Sequence, residues 1–185
     1  MIRLQKRDME LIETLNTLKV LTSSQIQRLF FDNLQPAQSR RCKQLVNHKH
    51  IKCCNQGVWQ ENLYYIKKKP TQQLKSMLLL SEFYVLLKEN NVNINYFQRE
   101  YIIPHTNIRC DAYMIFERDD FEYEIIIEVD LTHWDGWKYE KELMKGTKFP
   151  PLIYISPCKR KYNENLEAYY IKKDFSNFKD ILTLF

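Results

Sequence analysis

Glycine is nearly missing from this chain. Only Gly57, Gly136 and Gly146 occur among 185 residues, so no Gly-rich loop exists to cradle a nucleotide phosphate. Nucleotide-driven chemistry is thereby set aside. No apolar run approaches the roughly 18 to 20 residues that a membrane span needs, and no membrane partner is expected. The opening residues, Met1-Ile2-Arg3-Leu4-Gln5-Lys6-Arg7-Asp8, lack the apolar core of a signal peptide, which points to a cytoplasmic location. The five cysteines, Cys42, Cys53, Cys54, Cys110 and Cys158, are odd in number and contain no C-x-x-C pair. Small buried thiols in a reducing compartment account for them better than zinc or a disulfide framework. His48, His50, His105 and His133 show no metal-ligand spacing either.

What is present is ample apolar material and an uneven charge. The 44% apolar and 14% aromatic content supplies a packed core and excludes global disorder. Residues 1–70 carry 13 Lys+Arg against 5 Asp+Glu, or +8, whereas residues 71–185 carry 15 against 18, or −3. A basic first part joined to a mildly acidic second part points to nucleic-acid contact near the N-terminus. The basic run Lys67-Lys68-Lys69, closed by Pro70 and Thr71, marks the expected boundary between domains 1–70 and 71–185.

The first domain reads as a winged helix. Leu11, Ile12, Leu15 and Leu18 fall at helical spacing over about 8–19. Thr22 and Gln25 have the spacing of a capping box, and Leu21 with Ile26 occupies the two staple positions of a second helix. Pro36 suits the first turn of a third helix, with Cys42, Leu45 and Val46 facing inward. Its other face presents Arg40, Arg41, Lys43, Gln44 and Asn47, side chains able to reach phosphates and base edges from a major groove. Ile51 to Cys54 and Val58 to Ile66, around a turn at Asn55-Gln56-Gly57, make a hairpin wing. Lys67 and Lys68 either grip phosphate at the edge of that wing or form a solvated linker.

The second domain reads as a helix over about 72–90, strands near 92–103, 109–117 and 121–131, a helix over about 134–146 and a strand at 152–155. A further strand at 168–171 and a helix over 175–184 follow. Trp134, Trp137, Leu143 and Met144 mark the second of these helices. Ile125-Ile126-Ile127 runs into Glu128-Val129-Asp130, an apolar strand ending in two carboxylates on one face. Carboxylates at the end of a buried strand are costly unless paired or metal-bound. With Asp111 on the neighbouring strand, three acids converge in a way that suits a hard cation such as Mg²⁺.

The succession αβββαβ over about 71–156, with Asp111 on its second strand and Glu128-x-Asp130 closing its third, resembles the PD-(D/E)XK restriction-endonuclease-like fold. Joined to the winged helix, the whole chain resembles the replication-relaxation family of plasmids, phages and integrative elements. The shared features are Arg7-Asp8, Leu21-Thr22, Asp111-Ala112 and Glu128-Val129-Asp130. The resemblance implies an α+β or α/β protein that binds double-stranded DNA. A second copy of the chain, or replication and relaxation proteins, would be its protein partners. Active nucleases of this fold carry lysine where this chain has Asp130, and Lys138, Lys141 or Lys145 on the next helix is the candidate to replace it. Lys141 is taken as that residue.

Three functions remain open. The first is a DNA-binding protein with a non-catalytic nuclease-like second domain, which needs no cofactor. The second is a Mg²⁺-dependent nuclease or nickase with Asp111, Glu128, Asp130 and Lys141 as its site. The third is a protein–protein adaptor.

Overall fold

The computed structural model describes residues 2–55, 60–69, 71–132 and 136–185. Helix α1 (Lys6–Leu18) begins one turn before the first strongly apolar position. Its start is fixed by a capping box in which the Asp8 carboxylate accepts from the Gln5 backbone N–H at 2.7 Å. Leu21 and Thr22 form a short strand, β1 (Leu21–Thr22). Thr22 then caps α2 (Ser23–Phe30): its hydroxyl accepts from Gln25 N–H at 3.2 Å while Gln25 Oε1 accepts from Thr22 N–H at 3.0 Å. The staple pair Leu21 and Ile26 is fully buried, as the spacing requires. Helix α3 (Gln35–Asn47) opens with Pro36 in its first turn and buries Gln38, Cys42 and Leu45. Strands β2 (Lys52–Cys54) and β3 (Leu63–Tyr65) pair antiparallel, and β1 joins them to give the order β1-β3-β2. Gln56, Gly57, Val58 and Trp59, read as the hairpin turn and the start of its second strand, lie outside the described residues.

Helix α4 (Leu74–Glu89) differs from expectation in what it joins. The chain divides into two compact units, Met1–Asn90 and Asn91–Phe185, so α4 belongs with the first, and the division falls about 20 residues beyond the basic run. Side-chain bonds from the N-terminal elements explain this. The buried Ser81 hydroxyl donates to Val20 O at 2.8 Å, and Gln25 Nε2 donates to Glu82 Oε2 at 3.0 Å. Arg28 reaches Glu82 at 2.6 Å and Glu89 at 2.5 Å, tying α2 to both ends of the C-terminal half of α4. The Lys67 to Lys69 run, read as the edge of an interdomain linker, is thus internal to the first unit, and Pro70 lies outside the described residues.

The second unit is built on one five-stranded mixed sheet in the order β4-β5-β6-β7-β8. Strands β4 (Asn93–Ile102), β5 (Arg109–Arg118) and β6 (Phe121–Val129) form an antiparallel meander. The turn from β5 to β6 uses Asp119 and Asp120 at φ 51° and 66°, the mirror-image geometry that matches strand twist. Strands β7 (Leu152–Ser156) and β8 (Ala168–Lys172) continue the sheet in parallel from β6. Ile125, Ile126, Ile127 and Leu152 to Ile155 are all buried, the expected signature of strands covered on both faces.

Helix α5 (Trp137–Leu143) crosses from β6 to β7 and ends where Gly146, at φ 86°, turns the chain. The side chain it buries is Tyr139, 1% exposed, in a cluster with Cys110, Ile126 and Leu152. Trp137 and Met144, read as apolar anchors of this helix, are instead 59% and 83% exposed. The helix is shorter than its apolar pattern suggested, and only one face meets the sheet. Trp134, with His133 and Asp135, lies outside the described residues. Helix α6 (Phe178–Leu182) closes the chain, and Phe185 packs edge-on against Phe116 and Tyr123. The whole is an α+β protein. Among the described residues, no helix is long and apolar enough to cross a membrane.

Candidate functional site

Two regions gather the side chains singled out in the sequence. The first is the outer face of α3. Arg40, Lys43, Gln44 and Asn47 are exposed there, on a helix whose inner positions Gln38, Cys42 and Leu45 are sealed. Arg41 behaves differently. Its Nε donates to Asp8 Oδ1 at 2.9 Å and its Nη2 also reaches that carboxylate. Further bonds run from Nη2 to Arg3 O at 3.0 Å and from Nη1 to Gln44 Oε1 at 2.9 Å. Burial alone would raise the Asp8 carboxyl, but hydrogen bonds from Arg41 and from Gln5 N–H hold it below the usual carboxylate range. Arg41 therefore sets the angle between α1 and α3 and is not a free phosphate ligand. Lys67 and Lys68 are exposed, with Lys67 O accepting from Lys52 Nζ at 2.6 Å.

Arg7 does related work beside this pair: its guanidinium lies 4.2 Å from the centre of the Phe31 ring. The Arg7-Asp8 pair therefore knits α1 to the end of α2 and to α3.

The second region is the end of β6. Glu128 and Asp130, the latter just past the end of β6, line one small cleft together with Val129, Lys138, Tyr139 and Tyr162. The cleft holds about 30 Å³, room for a water molecule or a single ion. Each acid has met its own cation. Glu128 Oε1 stands 2.6 Å from Lys138 Nζ and accepts from Tyr139 Oη at 2.5 Å. Burial nevertheless wins: it pushes the Glu128 carboxyl up to about 7, against the pull of Lys138 and with added push from the charge on Asp111. Tyr139 is driven upward too, by burial first and then by Glu128.

Asp130 pairs through Oδ2 with Arg160 Nε at 3.1 Å, and its buried Oδ1 has no hydrogen-bond partner among the described residues. Asp111 Oδ2 accepts from Val129 N–H at 2.7 Å, stitching β5 to the last residue of β6.

The three-acid cage expected for a metal is therefore not what the side chains form. Asp130 is drawn to Arg160, and among the described residues no group of three or more His, Cys, Asp or Glu could hold a metal ion. Asp111 and Glu128 remain, a number compatible with Mg²⁺ held by one or two carboxylates plus water.

The lysine at the cleft is Lys138, not Lys141. On a helix whose buried residue is Tyr139, position 141 lies about 200° around the axis, and Lys141 is exposed. Lys145 pairs with Glu142 at 2.7 Å.

The chain matches no family model, no curated protein and no solved structure.

Two site residues escaped the sequence reading. Arg160 carried one signal, a Lys-Arg-Lys run soon after a buried strand. Tyr139 carried none that marks it as buried, because a tyrosine between Lys138 and Glu140 reads as surface.

Proposed function

We propose that this chain is a DNA-binding protein in which the first unit is a winged helix and α3 its recognition helix. The second unit is a restriction-endonuclease-like scaffold in a protein of the replication-relaxation type carried by mobile elements. The observation that carries the reading is the division of labour along α3. Arg41 is spent on Asp8, while Arg40, Lys43 and Asn47 stand exposed on a unit holding 15 Lys+Arg against 7 Asp+Glu in residues 1–90, or +8. A helix fixed by a buried ion pair and presenting cations outward has what phosphate and base-edge recognition requires. The partner is double-stranded DNA, and no cofactor is needed for this step.

The test is a duplex-binding titration over a range of salt with Arg40→Ala plus Lys43→Ala. The log–log salt slope should fall by about one for each phosphate that is no longer neutralised. An unchanged slope and affinity would reject α3 as the DNA-facing surface, and no retention of DNA at physiological salt would favour a protein–protein adaptor.

The Lys138 position gives a second reading some support. A lysine 2.6 Å from Glu128, with Asp111 on the neighbouring strand, restores an acid–acid–lysine set from a different element. Bound Mg²⁺ would be held by Asp111 and Glu128 and would polarise a phosphodiester. Lys138 would then offset charge at the phosphate. In this reading Glu128→Gln and Lys138→Met each abolish Mg²⁺-dependent plasmid nicking while duplex affinity stays. Absence of nicking in the unmodified protein would leave the scaffold non-catalytic.

A further inference from the structure

Strands β6, β7 and β8 run parallel, so their carboxyl ends, Val129, Ser156 and Lys172, lie along one edge of the sheet. Crevices outside such strand ends are where open sheets hold ligands. An open groove of about 520 Å³ occupies that edge, lined by Pro157, Tyr170, Lys172, Lys173 and Asp174. We propose that this groove is a second nucleic-acid binding surface, taking the phosphate backbone of a strand that passes the Glu128 cleft. The inference rests on the DNA-binding reading but not on α3.

Three observations support it. The first is charge. Residues 91–185 carry 13 Lys+Arg against 16 Asp+Glu, or −3, yet Lys159, Lys161, Lys172 and Lys173 stand exposed on the two segments that leave β7 and β8. Three acids are exposed on the same segments, Glu164, Glu167 and Asp174, the last in the groove itself with its Oδ1 accepting from Ser176 N–H at 3.0 Å, so with Arg160 the cations still outnumber them five to three.

The second is rigidity. The Tyr154 hydroxyl donates to Arg160 O at 3.1 Å and accepts from Arg160 N–H at 3.4 Å, and Arg160 Nε is held by Asp130. After β8, in the segment that lines the groove, Asn177 accepts from Lys172 N–H and donates to Tyr170 O, both at 2.8 Å. Both lysine-bearing segments are thus fixed before any ligand arrives, which lowers the ordering cost of binding.

The third is continuity. Tyr162, which lines the Glu128 cleft, packs on Tyr154 with ring centres 4.7 Å apart, and Tyr154 lies 5.4 Å from Tyr170 in the groove. A line of ring contacts, passing through the buried Tyr154, joins the groove to the cleft. Lysines act as point charges without the planar fork that reads a base, so the groove suits backbone binding without sequence preference.

The experiment uses the full chain and a labelled random-sequence duplex. Lys159, Lys161, Lys172 and Lys173 are changed together to Ala and, in a second variant, to Arg. The Ala set should lower the log–log salt slope by about two to four, and the Arg set should restore it. A slope equal to the unmodified protein's, with the thermal transition unchanged, overturns the groove. So does loss of heparin binding with duplex binding intact. The Arg40→Ala plus Lys43→Ala variant runs alongside. If it alone lowers the slope the groove fails alone, and if only the groove set does so the groove stands and the α3 reading fails.

Discussion

Glu128→Gln isolates the most heavily perturbed carboxyl of the second unit. Its folded value of about 7 lies above the ordinary 4.5. A group raised in this way contributes stability that is fully present below the unfolded value and is lost as pH rises through the folded one. The window is therefore about pH 4.5 to 7. A difference of that size corresponds to about 2 to 3 kcal/mol lost between pH 5 and pH 8. Gln cannot ionise, and its amide oxygen still accepts from Tyr139. Lys138 keeps Arg109 O as an acceptor at 3.3 Å. The variant should thus lose the acid-side gain and become the more stable form above neutrality. Urea midpoints in chelator-containing buffer across this range, read by near-ultraviolet signals, measure the difference. Carbon-13 titration of the Glu128 carboxyl in the unmodified protein gives its midpoint directly. A midpoint near 4.5, or identical pH slopes for both proteins, would refute the claim that burial outweighs Lys138.

Other substitutions test the first unit. Asp8→Asn leaves Arg41 against a weakened partner in a nearly sealed site and should cost about 2 to 4 kcal/mol by urea unfolding. The stabilisation from the Asp8 carboxylate should itself fade as pH falls from the ordinary carboxylate value of 3.8 through the lowered folded value, because a depressed acid contributes in full only above its unfolded value. Arg28→Ala removes a partly exposed clamp and should cost only about 1 kcal/mol, with faster amide exchange in α4 as the local readout. Ser81→Ala leaves Val20 O without its buried donor and should cost about 1 kcal/mol, whereas Ser81→Thr should fail to restore it if the site is as closed as its zero exposure indicates.

Much of the secondary structure was legible because its signals are local. The Thr22/Gln25 box, the Leu21/Ile26 staple, Pro36 and the isoleucine run before Glu128 each act within a few residues, where periodicity and capping are decisive. The carboxylate cleft was legible in part, since two acids closing a buried apolar strand must find partners there.

The partners of those side chains were not. Arg41 looked like a DNA ligand because an arginine on an outer helix face carries no mark of the aspartate 33 residues earlier that claims it. Lys138 rather than Lys141 met Glu128 because the rotation of α5 is set by which residue, Tyr139, finds the core. The basic run before Pro70 looked like a boundary, yet α4 had enough apolar surface, and Arg28 enough reach, to bind the helix back onto the first unit. Residue order alone dictates where helices and strands form and which side chains must be sheltered. Which charge answers which is settled by the folded arrangement, because ion pairing follows distance in space and burial, neither of which short-range pattern encodes.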